Sequence, residues 1–255
     1  MNAGALRLAL IGDPVEHSVS PVLQRAFMDR ERIVGSYERI TVPAREGKNA
    51  IVALRERGFC GLNVTTPLKE EAYFACDRKS QIVLAVGAVN TVVFDIDEPS
   101  GGPFGTNTDG AGAIAAVRFA ASAEPRDAGT ILVLGAGPTA RAGLYALAAA
   151  GAAVRVWNRT ESRARDVAAR FEVRVWAGQP VDVVLSTLPP GAEIEEPLRA
   201  ALLAARVVID ANYGPRATLG SRLGRDVCDG LSMLSGSARA SFDVWLAAHH
   251  KSHKR

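Results

Sequence analysis

Ile131-Leu132-Val133-Leu134-Gly135-Ala136-Gly137-Pro138-Thr139-Ala140-Arg141 is the stretch on which the fold of this chain turns. A short apolar run rich in β-branched residues, bounded by glycine, reads as a buried strand. Gly135 and Gly137 permit a tight turn and let the backbone come close to a bound group. Pro138 suits a first helical turn, where a missing N–H costs nothing, and Thr139 to Ala150 reads as an Ala/Leu-rich helix. The free N–H groups at such a helix start attract a diphosphate. Gly135, Ala136, Gly137, Pro138, Thr139 and Ala140 are therefore candidate cofactor contacts. The glycine pattern alone also fits a merely structural strand–turn–helix, and the next strand decides between the two.

That strand, Ala153 to Trp157, ends in Asn158-Arg159-Thr160-Glu161-Ser162-Arg163. In a dinucleotide-binding unit the end of the second strand meets the adenosine ribose, roughly 20 residues after the glycines. An NAD site places an acidic residue there to accept from the 2′-hydroxyl. This chain places Asn158, Arg159 and Thr160, with Arg163 one helical turn on. Guanidiniums and a hydroxyl are donors suited to a 2′-phosphate. The expected cofactor is NADP.

Composition bounds the rest. The chain has 255 residues, 48% hydrophobic and 22% charged, ordinary for a globular protein of one large or two modest domains. Nothing approaches a membrane-length apolar run, and the N-terminus lacks a basic region followed by an apolar core, so neither a span nor a signal peptide is expected. Cys60, Cys76 and Cys228 are odd in number and lack metal-ligand spacing, which fits reduced thiols in the cytoplasm and no bound metal. A net charge of +3 gives no reason to expect nucleic acid. The basic tail His249-His250-Lys251-Ser252-His253-Lys254-Arg255 reads as a frayed, solvated end.

Leu6 to Ile11 reads as a first strand, followed after Gly12-Asp13-Pro14 by a helix from about Pro21 to Arg32. Ser20 before Pro21 makes a good N-cap. Ser18 has no such structural reason, and two hydroxyls at a helix start can also hold a carboxylate. Tyr37 to Val42 and Phe59 to Val64 are further strands, flanking a helix from Pro43 to Arg57. Alternation of strands and helices predicts an α/β fold with a mainly parallel sheet, whose ligands bind beyond the carboxyl ends of strands. Asn63, Thr65 and Lys69 stand at such an end, although Lys69 alone also fits a surface lysine. Gln81 to Ala85 continues a helix, and Asn90-Thr91 opens a strand through Asp95. Asp109 fits either a site residue or a plain N-cap for the helix that runs to Ala121. Val181 to Ser186 and Val207 to Asp210 are buried strands, Asp226 to Gly230 a short last one, and Ser237 to His249 a helix with Phe242 and Trp245 on its core face.

Taken together, these motifs resemble the shikimate dehydrogenase family over nearly the whole chain. The resemblance rests on Ser18-Val19-Ser20-Pro21, on Asn63-Val64-Thr65-Thr66-Pro67-Leu68-Lys69, on Gly87 to Thr91, on Asn107 to Asp109, and on Asn158 to Arg163, in one order and at similar separations. It implies a substrate domain over residues 1–110, to which a helix over 232–255 returns, and a Rossmann NADP-binding domain over 111–231, with substrate in a cleft that closes reversibly. It implies that Ser18 and Ser20 hold a substrate carboxylate. Asn63, Thr65, Asn90 and Asp109 would hold ring hydroxyls, and Tyr213 and Ser237 would also meet the substrate. Thr187 would join the cofactor contacts, while Lys69 and Asp109 would flank the hydroxyl that is oxidised. The implied reaction interconverts 3-dehydroshikimate and shikimate in chorismate and aromatic amino acid biosynthesis. The implied partner is a small molecule, and a homodimer stays open.

The side chains suit that chemistry independently. Hydride loss from a secondary alcohol must be matched by proton loss from its oxygen, and a lysine beside a carboxylate can bind that oxygen and shuttle its proton. Two departures stand out. The family's Met-Leu-x-x-Gln run is here Met233-Leu234-Ser235-Gly236-Ser237, with a short serine for the Gln, and Gln24-Arg25 stands where His-Asn is common. The first puts substrate identity in question more than reaction type. Rival readings are a paralogue acting on quinate or an aminated ring hydroxy-acid, and a non-catalytic NADP-binding regulator, against which the retained Lys69 and Asp109 argue.

Overall fold

The computed structural model describes residues 5–94 and 101–252. Asp95, the expected end of one strand, and His253, Lys254 and Arg255 of the basic tail lie outside the described residues. The described chain divides into two compact units, one running to Thr108 and resuming at Ala238, the other spanning Asp109–Ser237.

The first unit runs β1 (Leu6–Gly12), α1 (Ser20–Arg30), β2 (Gly35–Thr41), α2 (Gly47–Glu56), β3 (Gly61–Val64), α3 (Lys69–Ala75), β4 (Arg78–Lys79), α4 (Gln81–Val86), β5 (Thr91–Val93) and β6 (Phe104–Thr106). Its six strands lie in the order β2-β1-β3-β5-β6-β4. β1 pairs in parallel with β2 and β3, and β4 with β6. β5 is antiparallel to both β3 and β6. Strand alternation sends β1 side chains to two cores. Ala9 and Ile11 pack with Ile51 and Leu54 of α2 and with Leu68 and Ala72 around α3. Leu8 and Leu10 pack with Met28 of α1 and with Phe242 and Trp245 of the last helix.

The second unit runs α5 (Asp109–Ala121), β7 (Thr130–Leu134), α6 (Pro138–Ala149), β8 (Ala153–Trp157), α7 (Glu161–Arg170), β9 (Arg174–Val175), β10 (Val183–Ser186), α8 (Leu198–Ala204), β11 (Val207–Asp210) and α9 (Leu219–Leu223). The long α10 (Leu231–Ser252) begins in this unit and ends in the first. The five strands are all parallel, in the order β11-β10-β7-β8-β9. Both sheet faces are covered, as an all-parallel sheet requires. Ile131 and Val133 face α5, α6 and α7, while Leu132 and Leu134 face α8 and α9.

Several elements differ from the sequence expectation for local reasons. α2 starts at Gly47 rather than Pro43, because Arg45 takes a φ of 74° and Glu71 accepts from the Arg45 and Gly47 N–H groups at 2.7 and 2.8 Å. That carboxylate takes the Gly47 N–H, which a helix begun at Pro43 would have bonded internally, and so caps the shorter helix. The expected strand at Asp226–Gly230 is reduced to one bridge, between Cys228 and Ile209. Asp and Gly weaken a ladder, and Gly230 lies so close to the Ala211 carbonyl that a side chain there would collide with it. α10 starts at Leu231, six residues earlier than expected, passing through Gly236, whose missing side chain admits Ala115 of α5. The cysteines are free thiols, and burial pushes Cys76 up to about 12, leaving it inert at neutral pH.

Candidate active site

In the first unit the predicted residues gather where β1 and β3 end and the antiparallel β5 begins, which topology puts at one end of these neighbouring strands. Gly12 closes β1, and a Cβ there would lie 2.4 Å from Thr65 Cγ2, so a glycine is what lets the Thr65 turn fold over the strand end. Thr65 N–H donates to Ile11 O at 2.9 Å. Lys69 is the first residue of α3 and is only 8% exposed. Its carbonyl is fixed by Val89 N–H at 2.9 Å. A cation at a helix N-terminus opposes the helix dipole, and lysine is among the residues least often buried. Two local preferences are broken at one residue, which makes Lys69 a candidate for a functional role.

Asn63 and Asn90 belong to one polar network. Asn63 Nδ2 donates to Asn90 O at 3.2 Å. Asn90 Oδ1 accepts from the Thr108 N–H at 2.8 Å and from Thr91 Oγ1 at 2.8 Å. Asn107, beside it, donates to Ala88 O at 3.0 Å. Thr91, Asn107 and Thr108 stand inside quoted motifs, yet their side chains carry this frame, which the motif letters alone did not reveal.

Ser18 and Ser20 are both buried, at the start of α1. Ser20 does not cap that helix: Val19 holds the cap position, without a side-chain bond. Ser18 takes up the work instead, its Oγ accepting from the Ser20 N–H at 3.2 Å and donating to Ser20 Oγ at 3.1 Å. The loop ahead of them is braced from β2. Arg39 donates to the carbonyls of Glu16 and Ser18. Thr41 donates to Glu16 at 2.7 Å, which holds that carboxyl below its usual range. Gln24, one turn beyond Ser20, is fully buried and donates to Ala238 O of α10 at 3.0 Å.

In the second unit the turn after β7 has the form expected. Gly135 has a φ of 113°, a conformation that side chains resist, and a Cβ there would meet Thr187 Oγ1 at 2.6 Å. Thr187 is held over the turn by its bond to Leu134 O at 2.8 Å. Gly137 differs: its φ is −76° and a Cβ would meet nothing within 4 Å. Neither backbone nor protein packing demands glycine at Gly137, so the open space at the start of α6 suits a diphosphate approaching the helix N–H groups. Arg159, Thr160 and Arg163 are exposed after β8, and Asn158 Nδ2 braces their turn on Thr160 O at 3.0 Å. Among the described residues neither Arg159 nor Arg163 makes an ion pair, leaving both guanidiniums for a phosphate.

Asp109 stands as the first residue inside α5, buried, with its Oδ2 accepting from Thr139 Oγ1 at 3.4 Å. Tyr213 is half-buried beyond β11. Its loop is organised by Asp210, a residue the sequence showed only as a strand end. That carboxylate accepts from Asn212 N–H at 3.0 Å, Asn212 Nδ2 at 2.7 Å and Leu219 N–H at 3.3 Å. Burial raises its pKa above the ordinary carboxylate value. Ser237 is half-buried on α10, its Cβ close to the position a side chain at Gly112 of α5 would take.

A glycine turn opening an all-parallel, doubly covered sheet, with cationic donors after its second strand, defines the second unit as a dinucleotide-binding domain. Residues 10–92 match the family model described as the shikimate dehydrogenase substrate binding domain. The chain is 38% identical over 258 residues to the shikimate dehydrogenase (NADP(+)) of Acidiphilium cryptum, covering 95% of this chain and 91% of that one. It is 36% identical over 253 residues to the corresponding protein of Dinoroseobacter shibae, covering 92% and 90%. The chain belongs to the shikimate dehydrogenase family. Among solved structures, shikimate 5-dehydrogenase from Thermus thermophilus in complex with NADP(H) and shikimate superposes with a TM-score of 0.79, at 34% identity over 95% of this chain and 94% of that one. No described helix is long and apolar enough to cross a membrane.

Proposed function

We propose that this chain is an NADP-dependent shikimate dehydrogenase, moving hydride reversibly between NADPH and 3-dehydroshikimate to give shikimate, and so serves chorismate and aromatic amino acid synthesis. The observation that carries the reading is the buried Lys69 at the start of α3, in a chain with these relatives. The bound nicotinamide supplies the hydride chemistry. The protein's own residues bind, orient and move the proton. Lys69 binds the reacting oxygen, and Asp109 assists at the same hydroxyl. Ser18 and Ser20 take the carboxylate, Asn63, Thr65 and Asn90 the ring hydroxyls, and Tyr213 and Ser237 complete the substrate contacts. Gly135 to Ala140 and Thr187 take the diphosphate side of the cofactor, and Asn158, Arg159, Thr160 and Arg163 its 2′-phosphate. The enzyme acts in the cytoplasm on a free small molecule, and sedimentation reads whether it does so as a homodimer.

A steady-state assay crossing shikimate and quinate with NADP and NAD tests this reading. High kcat/KM for shikimate with NADP is expected. Clear NADPH binding with little shikimate turnover would overturn it in favour of another ring hydroxy-acid, a reading that the short side chain of Ser237 alone favours. In that event Ser237→Gln should restore shikimate turnover.

The cofactor assignment has its own test. Each charge-assisted hydrogen bond is worth roughly 1.5–3 kcal/mol. Arg159→Ala should therefore raise the KM for NADP by about one to two decades and leave that for NAD nearly unchanged. Equal losses for both would remove Arg159 from the 2′-phosphate.

A further inference from the structure

An asparagine carboxamide presents one acceptor oxygen with two lone pairs and one nitrogen with two donors, and it serves a ligand well only if something fixes which end faces where. In this protein a phenol does so. Tyr37, on β2, is 7% exposed, and its hydroxyl donates to Asn63 Oδ1 at 2.6 Å. The opposite end of the amide is committed too, with Nδ2 donating to Asn90 O at 3.2 Å and to Thr91 Oγ1 at 3.4 Å. Turning the amide over would bring Oδ1 against the Asn90 carbonyl, two acceptors face to face, and would lose the short bond from the phenol. Thr91 in turn donates to Asn90 Oδ1, so the chain of donors runs in one direction from β2 through β3 to the turn before β5. Such chains reinforce one another in a low-dielectric interior.

We propose that Tyr37 is a positioning residue that fixes Asn63 as a hydrogen-bond acceptor towards the substrate. With both N–H groups and one lone pair engaged, the second Oδ1 lone pair is what Asn63 offers, and its ligand is a hydroxyl that donates. The assignment rests on the proposed role of Asn63 and adds which end of it works and what holds it there. It makes the site selective for a ring hydroxyl at that position over a group that only accepts.

A double-mutant cycle on the full-length protein tests it. Tyr37→Phe keeps the ring and removes only the hydroxyl. It should raise the KM for shikimate about three- to tenfold, the worth of one buried hydrogen bond, with kcat and the KM for NADPH changed less than about twofold. In an Asn63→Ala background the same substitution should add nothing to KM, because the group it orients is gone. A merely structural tyrosine would shift thermal stability and leave that pattern absent. An unchanged shikimate KM in Tyr37→Phe, with Asn63→Ala raising it, overturns the role of Tyr37. A full additional effect in the Asn63→Ala background overturns it as well. An Asn63→Ala variant with unaltered KM would instead overturn the placing of Asn63 at the substrate.

Discussion

Lys69→Ala should lower turnover by roughly two decades or more, since a positioned general acid/base contributes about 10²–10⁴-fold, while NADPH binding stays nearly intact. The expectation follows from placement. Lys69 is buried at the first turn of α3, with its backbone tied to Val89, and the helix itself is tied to α2 through Glu71. A solvated lysine at that position would have served charge balance better, because the dipole there favours anions. Removing a buried side chain also leaves a cavity, so Lys69→Met is the sharper variant: it keeps the length and apolar stem and deletes only the charge and the donors. Single-turnover oxidation of NADPH, with cofactor binding followed by fluorescence, separates the two effects. Both variants should bind NADPH and fail in the chemical step. Turnover retained in Lys69→Met would remove the amine from the proton's path and leave Lys69 a packing residue.

How far the sequence led depended on the range of the interactions involved. The turn after β7 was legible because its information is local: a β-branched strand, glycines and a helix-opening proline are contiguous, and the same physics places them in space. The donors after β8 were legible for the same reason. β6, the antiparallel partner of β5, was not. Phe104-Gly105-Thr106 sits beside Gly101, Gly102 and Pro103 and has loop composition, and it becomes a strand only through pairing with β5 and β4. α1 was misleading in another way. Its buried face carries Ser20, Gln24 and Met28 while Val22 is 70% exposed, so the apolar pattern points away from the true packing face. In the site, the motif residues Asn63, Asn90 and Lys69 were named from sequence. Tyr37 and Asp210 were not: a tyrosine within one strand and an aspartate at the end of another both have ordinary local explanations, and their partners are set by tertiary structure.

Trp245→Ala should cost the first unit about 3–5 kcal/mol, the usual loss for deleting a large buried aromatic. That is a large share of the roughly 5–15 kcal/mol by which domains are stable. Trp245 is 1% exposed in the core under β1. Its indole N–H donates to Val92 O of β5 at 2.9 Å, and its ring lies 6.4 Å from that of Tyr37. The fit depends on Gly61 at the start of β3, where a Cβ would lie 2.3 Å from the indole nitrogen and 2.6 Å from Val92 O. Gly61→Ala should therefore destabilise by about 1–3 kcal/mol through overpacking, even though the exchange ordinarily stiffens the unfolded chain in the protein's favour. The two sites share one contact, so their effects should not add. In a Trp245→Phe background, where the indole nitrogen is absent, Gly61→Ala should cost clearly less than in the parent chain. Urea unfolding followed by circular dichroism reads all four corners of that cycle. Equal costs in both backgrounds would mean the strand backbone, not the indole, excludes a side chain at Gly61. Trp245 lies against Tyr37, the residue proposed to orient Asn63. The same cycle, read for shikimate KM, therefore shows whether the packing of this tryptophan also sets the geometry of Asn63.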